Sequence, residues 1–477
     1  MANPQSDALI PTYNFKEVPR RGAIANTGTI YTRSFKGRYR NIRILVASAL
    51  ALLFFVTSWL NWNGRQAVWW DLEQSRFYIF NATFWPQDLT FLSEIMIFSA
   101  FLLCAATVFA GRVWCGYSCP QSIWTWAFMW VEKISEGDRN QRIKLAAAPW
   151  SGKKIVKRAA KHSLWLLISL ATGIAFIGYF VPVRELTQSI LLGDWFCQSV
   201  FWVAVIASLT YINAGWLREK VCSHMCPYSR IQSAMLDKNT RVIAYNPARG
   251  ENRGSRKRED DKHALGLGDC VDCSLCVQVC PTGIDIRDGL QMDCIGCAAC
   301  IDVCDTVMDK MAYPRGLISY TSENQQQGQQ SQPLLKRPQF LAYMGAAVLL
   351  LGFMAFTLYN RELADIGVAK DRTAYRINSQ GQVVNVYRLK ITNKTQQTGY
   401  YHLALADNNF AGDKSLMLTR SHKITLEPGE IYDLPVSVTL QGKTDSAGTR
   451  QFLFSLIAEH QSEPVTQKKA VFIYPKY

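Results

Sequence analysis

At 477 residues, 49% hydrophobic and 19% charged, the chain has room for two or three domains and alternates almost purely apolar stretches with strongly polar ones. The formal charge of +15 comes without a nucleic-acid module, and the basic residues flank apolar spans, so it points to a membrane and away from nucleic acid. Of 14 cysteines, eight fall between Cys270 and Cys304 and none follows, which excludes a disulfide scaffold and indicates metal ligands in a reducing compartment.

The first 40 residues are polar and basic and lack the apolar core of a cleavable signal, so the first apolar span is expected to remain as an anchor. Five stretches approach the ~20 residues a helix needs to cross a bilayer: 43–62, 89–110, 163–183, 196–214 and 340–359. The shorter stretch 121–131, with Trp124, Trp126 and Trp130, reads as an interfacial or partly re-entrant helix. Lys and Arg number eight in the arm up to Arg43, two in 61–88, ten in 111–162, one in 184–195 and sixteen in 215–339. That alternation predicts a cytoplasmic N-terminus, with everything after residue 360 outside, which in a Gram-negative cell is the periplasm. The expected location is therefore a bacterial inner membrane.

The expected organisation is an arm over 1–42, a four-span membrane domain over 43–248 and an iron–sulfur domain over 249–320. A linker over 321–339, a fifth span over 340–359 and a β domain over 360–477 follow. The charged run 249–262 reads as solvated and the Gln-rich run 321–333 as a flexible tether. Strand-like segments at 383–391, 400–406, 423–426, 431–440, 451–458 and 470–474, separated by turn signals such as Pro428-Gly429, predict an immunoglobulin-like sandwich held by packing alone.

Residues 270–281 read CVDCSLCVQVCP and residues 294–304 read CIGCAACIDVC. Each is C-x2-C-x2-C-x3-C, the pattern of a two-cluster bacterial ferredoxin, in which the fourth cysteine of each run serves the other cluster. Cys270, Cys273, Cys276 and Cys304 are thus expected to hold one 4Fe–4S cluster, and Cys294, Cys297, Cys300 and Cys280 the second. Zinc sites favour two pairs of ligands and fit this spacing less well. Pro281 follows the first run, whereas Asp305 stands in its place after the second.

A rarer motif occurs twice. GRVWCGYSCPQS contains Cys115, Cys119 and Pro120, and REKVCSHMCPYS contains Cys222, Cys226 and Pro227. Each C-x3-C-P follows an apolar span, carries a nearby arginine (Arg112, Arg218) and reads as half of an internal repeat. Proline suits the first helical turn, so the second cysteine of each pair is expected just before a helix, where the dipole and the arginine lower a thiol pKa. Four such thiols together suit a soft metal, copper or a third cluster, with His224 and Met225 as further soft ligands. Buried, inert cysteines are the plainer alternative. Cys104 and Cys197 each stand alone and read as packing residues. Glu94, within a span, is a functional candidate, and His162 reads as interfacial.

This order of features resembles the FixG/RdxA/CcoG family of cytochrome c oxidase accessory proteins: membrane spans, Cys115-Gly-Tyr-Ser-Cys119-Pro120, Cys222-Ser-His-Met-Cys226-Pro227, two ferredoxin runs, a further span and a β tail. The resemblance implies a role in assembling cbb(3)-type haem–copper oxidase, with the oxidase or its copper chaperones as partners and an unidentified electron donor. It implies reduction of Cu(II) to Cu(I), which makes Cys115, Cys119, Cys222 and Cys226 the catalytic, copper-holding residues. Related twin-motif proteins serve quinol-linked reductases, so a plain electron carrier is a competing expectation, and a non-enzymatic scaffold or redox sensor another.

Overall fold

The computed structural model describes residues 29–476 apart from 195–196, 363, 396, 407–408, 411–413, 420–422, 442–446 and 460–462. The expected arm over 1–42 therefore lies partly outside the described residues. The chain forms two compact units, one comprising 1–81 and 86–351, the other 82–85 and 352–477.

In the first unit the helices run in this order: α1 Arg38–Thr57, α2 Leu89–Ala110, α3 Val113–Tyr117, α4 Pro120–Glu136, α5 Arg139–Ala147, α6 Gly152–Ile177, α7 Val183–Leu192 and α8 Gln198–Tyr211. Among the described residues five helices are long and apolar enough to cross a membrane: α1, α2, α6, α8 continued to Leu217, and Pro338–Tyr359. The first begins five residues before the expected span and ends before Leu60, because Asp302 from a distant helix accepts the free Tyr39 and Arg40 N–H groups at its start. The third begins eleven residues early, where Ser151 caps α6 by accepting from Lys154 N–H. The fourth starts at Gln198, two residues inside the expected boundary, whose first residue lies outside the described set. The 61–88 loop contains antiparallel strands Val68–Asp71 and Arg76–Ile79.

The short tryptophan-rich stretch is part of α4, and it packs into the bundle. Phe128 is fully buried and stacks on Trp165 of α6, whose indole N–H donates to the Phe128 carbonyl.

Beyond α9 (Pro227–Met235) the chain forms α10 (Pro247–Gly250), α11 (Leu275–Val279), α12 (Ala299–Met311) and α13 (Glu323–Gln326). Strands Val242–Tyr245 and Ile318–Thr321 pair antiparallel and close the base of the cysteine block, so its first strand lies upstream of residue 249. Ile30 packs into the same core as Cys270, Cys276 and Met308. The Gln-rich run is not a free tether. Ser322 and Gln325 form a capping box on α13, and the Asn324 side chain donates to Asn239 Oδ1 at 2.8 Å. The charged run 249–262 is likewise anchored, through Arg249–Asp269 and through Arg256 donating to the Gly268 carbonyl.

The last apolar helix, α14, spans Pro338–Tyr359. In the second unit, one sheet runs in the order Asn409–Phe410, Lys414–Leu418, Ile431–Gln441, Val383–Asn393, Ala364–Lys370, with Arg376–Ile377 against Val383–Asn393. The other runs Lys423–Leu426, Gly399–Ala406, Gly448–Ala458, Pro464–Tyr474. Alternate residues of both sheets, including Tyr387, Leu389, Leu416, Phe452, Phe454 and Phe472, make the core. Asn385 is fully buried and pairs with Ile473 as a backbone amide would, its Nδ2 donating to the carbonyl at 2.8 Å and its Oδ1 accepting from the N–H at 3.3 Å. The six expected strands are present, and Ala364–Lys370 and Lys414–Leu418 were not foreseen.

Candidate iron–sulfur and thiolate site

The two ferredoxin runs fold alike. In the first, Asp272 and Ser274 adopt φ of 48° and 53°; in the second, the matched Gly296 and Ala298 adopt 68° and 58°. Each loop then enters a helix one residue later, α11 or α12. Alternation of left- and right-handed residues turns backbone N–H groups inward, a geometry that favours anionic sulfur. The Gly296 N–H accordingly opposes the rise that burial causes at the Cys294 thiol.

After these turns the runs diverge, which explains Asp305. The first helix stops at Val279, leaving Cys280 extended and Pro281 outside it. The second continues through Cys304 to Met311, where a proline would remove a helical hydrogen bond. Asp305 instead accepts from the Gly316 N–H at 3.0 Å.

Cys270, Cys273, Cys276 and Cys304 line one cavity. Burial, and then the neighbouring sulfurs Cys270 and Cys273, push the Cys304 thiol up to about 12. Burial pushes Cys294 to about 12 as well, and Cys280 and Cys297 are the neighbouring sulfurs that add to it. Cys300, pushed well up by burial, feels Cys297, Cys294 and Cys280. Cys270, Cys273, Cys276 and Cys304 thus share one cavity, and Cys300, which also feels Cys276, adjoins it. Among the described residues no three His, Cys, Asp or Glu side chains converge closely enough for a single ion. A tetrahedral zinc site needs its sulfurs all within ~2.3 Å of one point. Four thiols spread around a cavity, Cys270 and Cys276 of them buried, fit a larger cationic core that displaces their protons.

The C-x3-C-P motifs are equivalent in backbone as well as sequence. Gly111 (φ 54°, ψ −117°) and Arg218 (φ 43°, ψ −112°) each stand four residues before the first cysteine. In each motif the second cysteine's N–H reaches back five residues, Cys119 to the Trp114 carbonyl at 2.9 Å and Cys226 to that of Val221 at 2.8 Å. Pro120 and Pro227 then open α4 and α9, so Cys119 and Cys226 occupy the expected position before a helix. The repeats also cap one another. Gln232 of α9 donates to the Gly111 carbonyl at 2.9 Å, and Gln121 of α4 to the Arg218 carbonyl at 3.3 Å.

This superposition shows that the two arginines are not counterparts, since Arg112 matches Glu219. Arg218 holds a left-handed conformation that costs a non-glycine residue about 1–3 kcal/mol, and its guanidinium is bound by Glu132. The four motif sulfurs lie near one another: Cys115 feels Cys119, Cys222 and Cys226, and Cys222 feels Cys119 and Cys226. Burial dominates at the first cysteine of each pair, taking Cys115 to about 12 and Cys222 to about 11. Arg112 opposes the rise at both without overcoming it. His224 and Met225 are exposed.

The second ferredoxin loop docks on the first C-x3-C-P turn, backbone to backbone. A Cβ on Gly116 would stand 2.6 Å from the Gly296 carbonyl oxygen, and one on Gly296 would stand 2.9 Å from that of Arg112. Glycine on both sides permits this approach. Cys115 packs with Cys297, Ile295 and Val279. Arg112 secures the junction, donating to the carbonyls of Met292, Cys294 (2.9 Å) and Ser229 (3.1 Å) and to Ser233 Oγ at 2.7 Å. The set completed by Cys280 therefore lies beside the twin motif.

Sequence reasoning missed a buried charge network. Glu132, 3% exposed, pairs with Arg142 and Arg218, and Glu136 pairs with Arg158 and Lys161. Its signal was two carboxylates four residues apart on one helix within an otherwise apolar stretch. Glu94 is buried in α2, and His162 bonds the Tyr211 hydroxyl at 2.7 Å, a packing role.

Residues 217–323 match the family model described as a 4Fe-4S dicluster domain, and residues 354–475 match that of an IG-like fold at the C-terminus of FixG. The chain is 36% identical to nitrogen fixation protein FixG of Rhizobium meliloti, over 91% of this chain and 90% of that protein. It is also 36% identical to protein RdxA of Cereibacter sphaeroides, over 79% and 82% of the respective chains. A solved FixG-related protein from Vibrio parahaemolyticus aligns to 23% of this chain and 95% of its own, at 31% identity and a TM-score of 0.20. With apolar helices, paired cysteine sets and a C-terminal β unit all in place, the chain belongs to the FixG family of membrane iron–sulfur proteins.

Proposed function

We propose that this protein reduces Cu(II) to Cu(I) for delivery to a cbb(3)-type cytochrome oxidase, with Cys115, Cys119, Cys222 and Cys226 holding the copper. The observation that carries the reading is the gathering of these four thiols beside the second iron–sulfur loop. A 4Fe–4S cluster exchanges one electron at a time, the stoichiometry that one copper ion requires. Thiolates favour the reduced ion. Burial keeps Cys115 and Cys222 protonated until copper displaces their protons to solvent, and the Cys115 thiol donates a hydrogen bond to Gln232 Oε1 at 3.7 Å. His224 and Met225 offer soft ligands at the surface of the same turn. The Lys and Arg distribution supports cytoplasmic cysteines and a periplasmic β domain, which would meet the oxidase or its copper chaperones.

The test is copper reduction by purified protein in which these four cysteines are changed to alanine. Variants that reduce Cu(II) as fast as the parent defeat the assignment. A second reading, an electron carrier with no metal substrate, is favoured by the motif sulfurs not converging to single-ion distance. It predicts that no copper is retained on purification and that a quinol analogue fully reduces the protein.

A further inference from the structure

Beside the iron–sulfur block, at the start of α1, lies a cavity of about 110 Å³, well above the ~10–15 Å³ that one water needs. Its walls come from the segment before α1, from α1, from α4 and its following turn, and from Val279 and Pro281, the neighbours of Cys280. Five cations line it: Arg33, Arg40, Arg43, Lys133 and Arg142. Arg142 is paired with Glu132, a carboxylate it shares with Arg218. The carboxylate on the wall, Asp138, accepts from the Ser34 N–H at 2.9 Å. Arg33 reaches only the neutral Gln278 side chain, at 3.4 Å.

Arg43 is the decisive residue. It is 6% exposed, and among the described residues its guanidinium has neither hydrogen bond nor ion pair. The guanidinium faces open space and not packed protein, so an anion entering the cavity pairs with Arg43 without displacing another partner. Arg40 has no ion pair among the described residues, and Lys133 faces Asp138 across the wall. Three planar guanidinium forks and an ammonium around one space match a group presenting several anionic oxygens better than a single carboxylate. Trp126 and Trp130 on the same wall are amphipathic rings of the kind that sit at the headgroup level of a bilayer, and α1 is one of the helices able to cross it.

We propose that this cavity binds a phosphate group, with Arg43 and Arg40 as its principal ligands and Arg33 and Lys133 closing around it. The phosphate comes either from an anionic phospholipid headgroup or from a free phosphate compound. Because Val279 and Pro281 form part of the wall, the bound anion lies against the segment that carries Cys280.

The experiment uses the full chain, purified with its clusters, in two arms. In the first, native mass spectrometry counts phospholipid retained after reconstitution in phosphatidylglycerol or in phosphatidylcholine nanodiscs. In the second, thermal unfolding in detergent is followed against inorganic phosphate, with chloride at matched ionic strength. A headgroup site retains phosphatidylglycerol over phosphatidylcholine, and a free-phosphate site raises the unfolding temperature with phosphate alone. In either arm Arg43→Gln weakens binding by roughly tenfold or more, the loss expected for charged hydrogen bonds. Arg40→Gln, whose parent side chain is only half-buried, does the same and keeps the test valid if Arg43→Gln folds poorly. Parent protein that binds in neither arm, or both variants binding like the parent, overturns the proposal.

Discussion

Substituting Gly116 by alanine tests the junction between the iron–sulfur block and the twin motif. The new methyl would stand 2.6 Å from the Gly296 carbonyl oxygen and 3.1 Å from the Cys297 Cα. Both are backbone atoms, so no rotamer change relieves the contact, and overpacking of this kind costs about 1–3 kcal/mol. Alanine regains at most about 1 kcal/mol of helix propensity, and α3 has only five residues in which to use it. The clash wins by about 1–2 kcal/mol, which converts to a roughly 5- to 30-fold rise in local opening. Hydrogen exchange of peptides covering 112–119 and 292–300 reads that rise directly. Iron content stays at the parental level, because all eight ferredoxin cysteines are untouched. Gly152→Ala, with nothing within 4 Å of its added methyl, is the control and leaves exchange in both peptides unchanged. Parental protection in Gly116→Ala would refute close docking of the loop on the motif.

Four further outcomes are expected. Cys115 and Cys222, pushed to about 12 and about 11, carry protons at neutral pH and must lose them to bind copper. Apparent Cu(I) affinity should therefore rise with pH between 6 and 9, by up to about tenfold per unit for each proton released, in competition titrations. By the same shifts, the folded metal-free chain binds more protons than the unfolded chain above the ordinary thiol value of 9.0, so its stability falls as pH climbs from there towards about 11–12. Glu132→Gln leaves Arg142 and Arg218 without their shared buried carboxylate, and should cost about 3–5 kcal/mol, seen as a large drop in thermal stability; parental stability would remove the network's structural role. Asp305→Pro, which restores the usual ferredoxin residue, should cost about 3 kcal/mol or more in denaturant unfolding, because α12 runs on through this position. A neutral result would show that the helix ends at Cys304.

Much of this protein is determined by residue order alone. Spacing of cysteines is a local property, so both ferredoxin runs and the twin C-x3-C-P motifs could be read directly, along with Pro120 and Pro227 opening their helices. Apolar length likewise placed five candidate spans, and period-two alternation found the longer strands of the β unit. Span ends were less accessible, since α1 is capped by Asp302, some 260 residues away in the sequence. Strand Lys414–Leu418 was missed because it is short and bordered by polar residues.

Only the tertiary structure decided how the parts meet. The glycine pair Gly116 and Gly296 has no sequence signature as a contact, because close approach is a property of two backbones from distant segments. Charge pairing is similarly invisible: Arg218 looked like the counterpart of Arg112 until the backbone repeat aligned Arg112 with Glu219 and Glu132 bound Arg218. Thiol acidity follows the same rule. A motif displays the arginine, but desolvation depends on everything packed around the sulfur, and at Cys115 and Cys222 it outweighs Arg112.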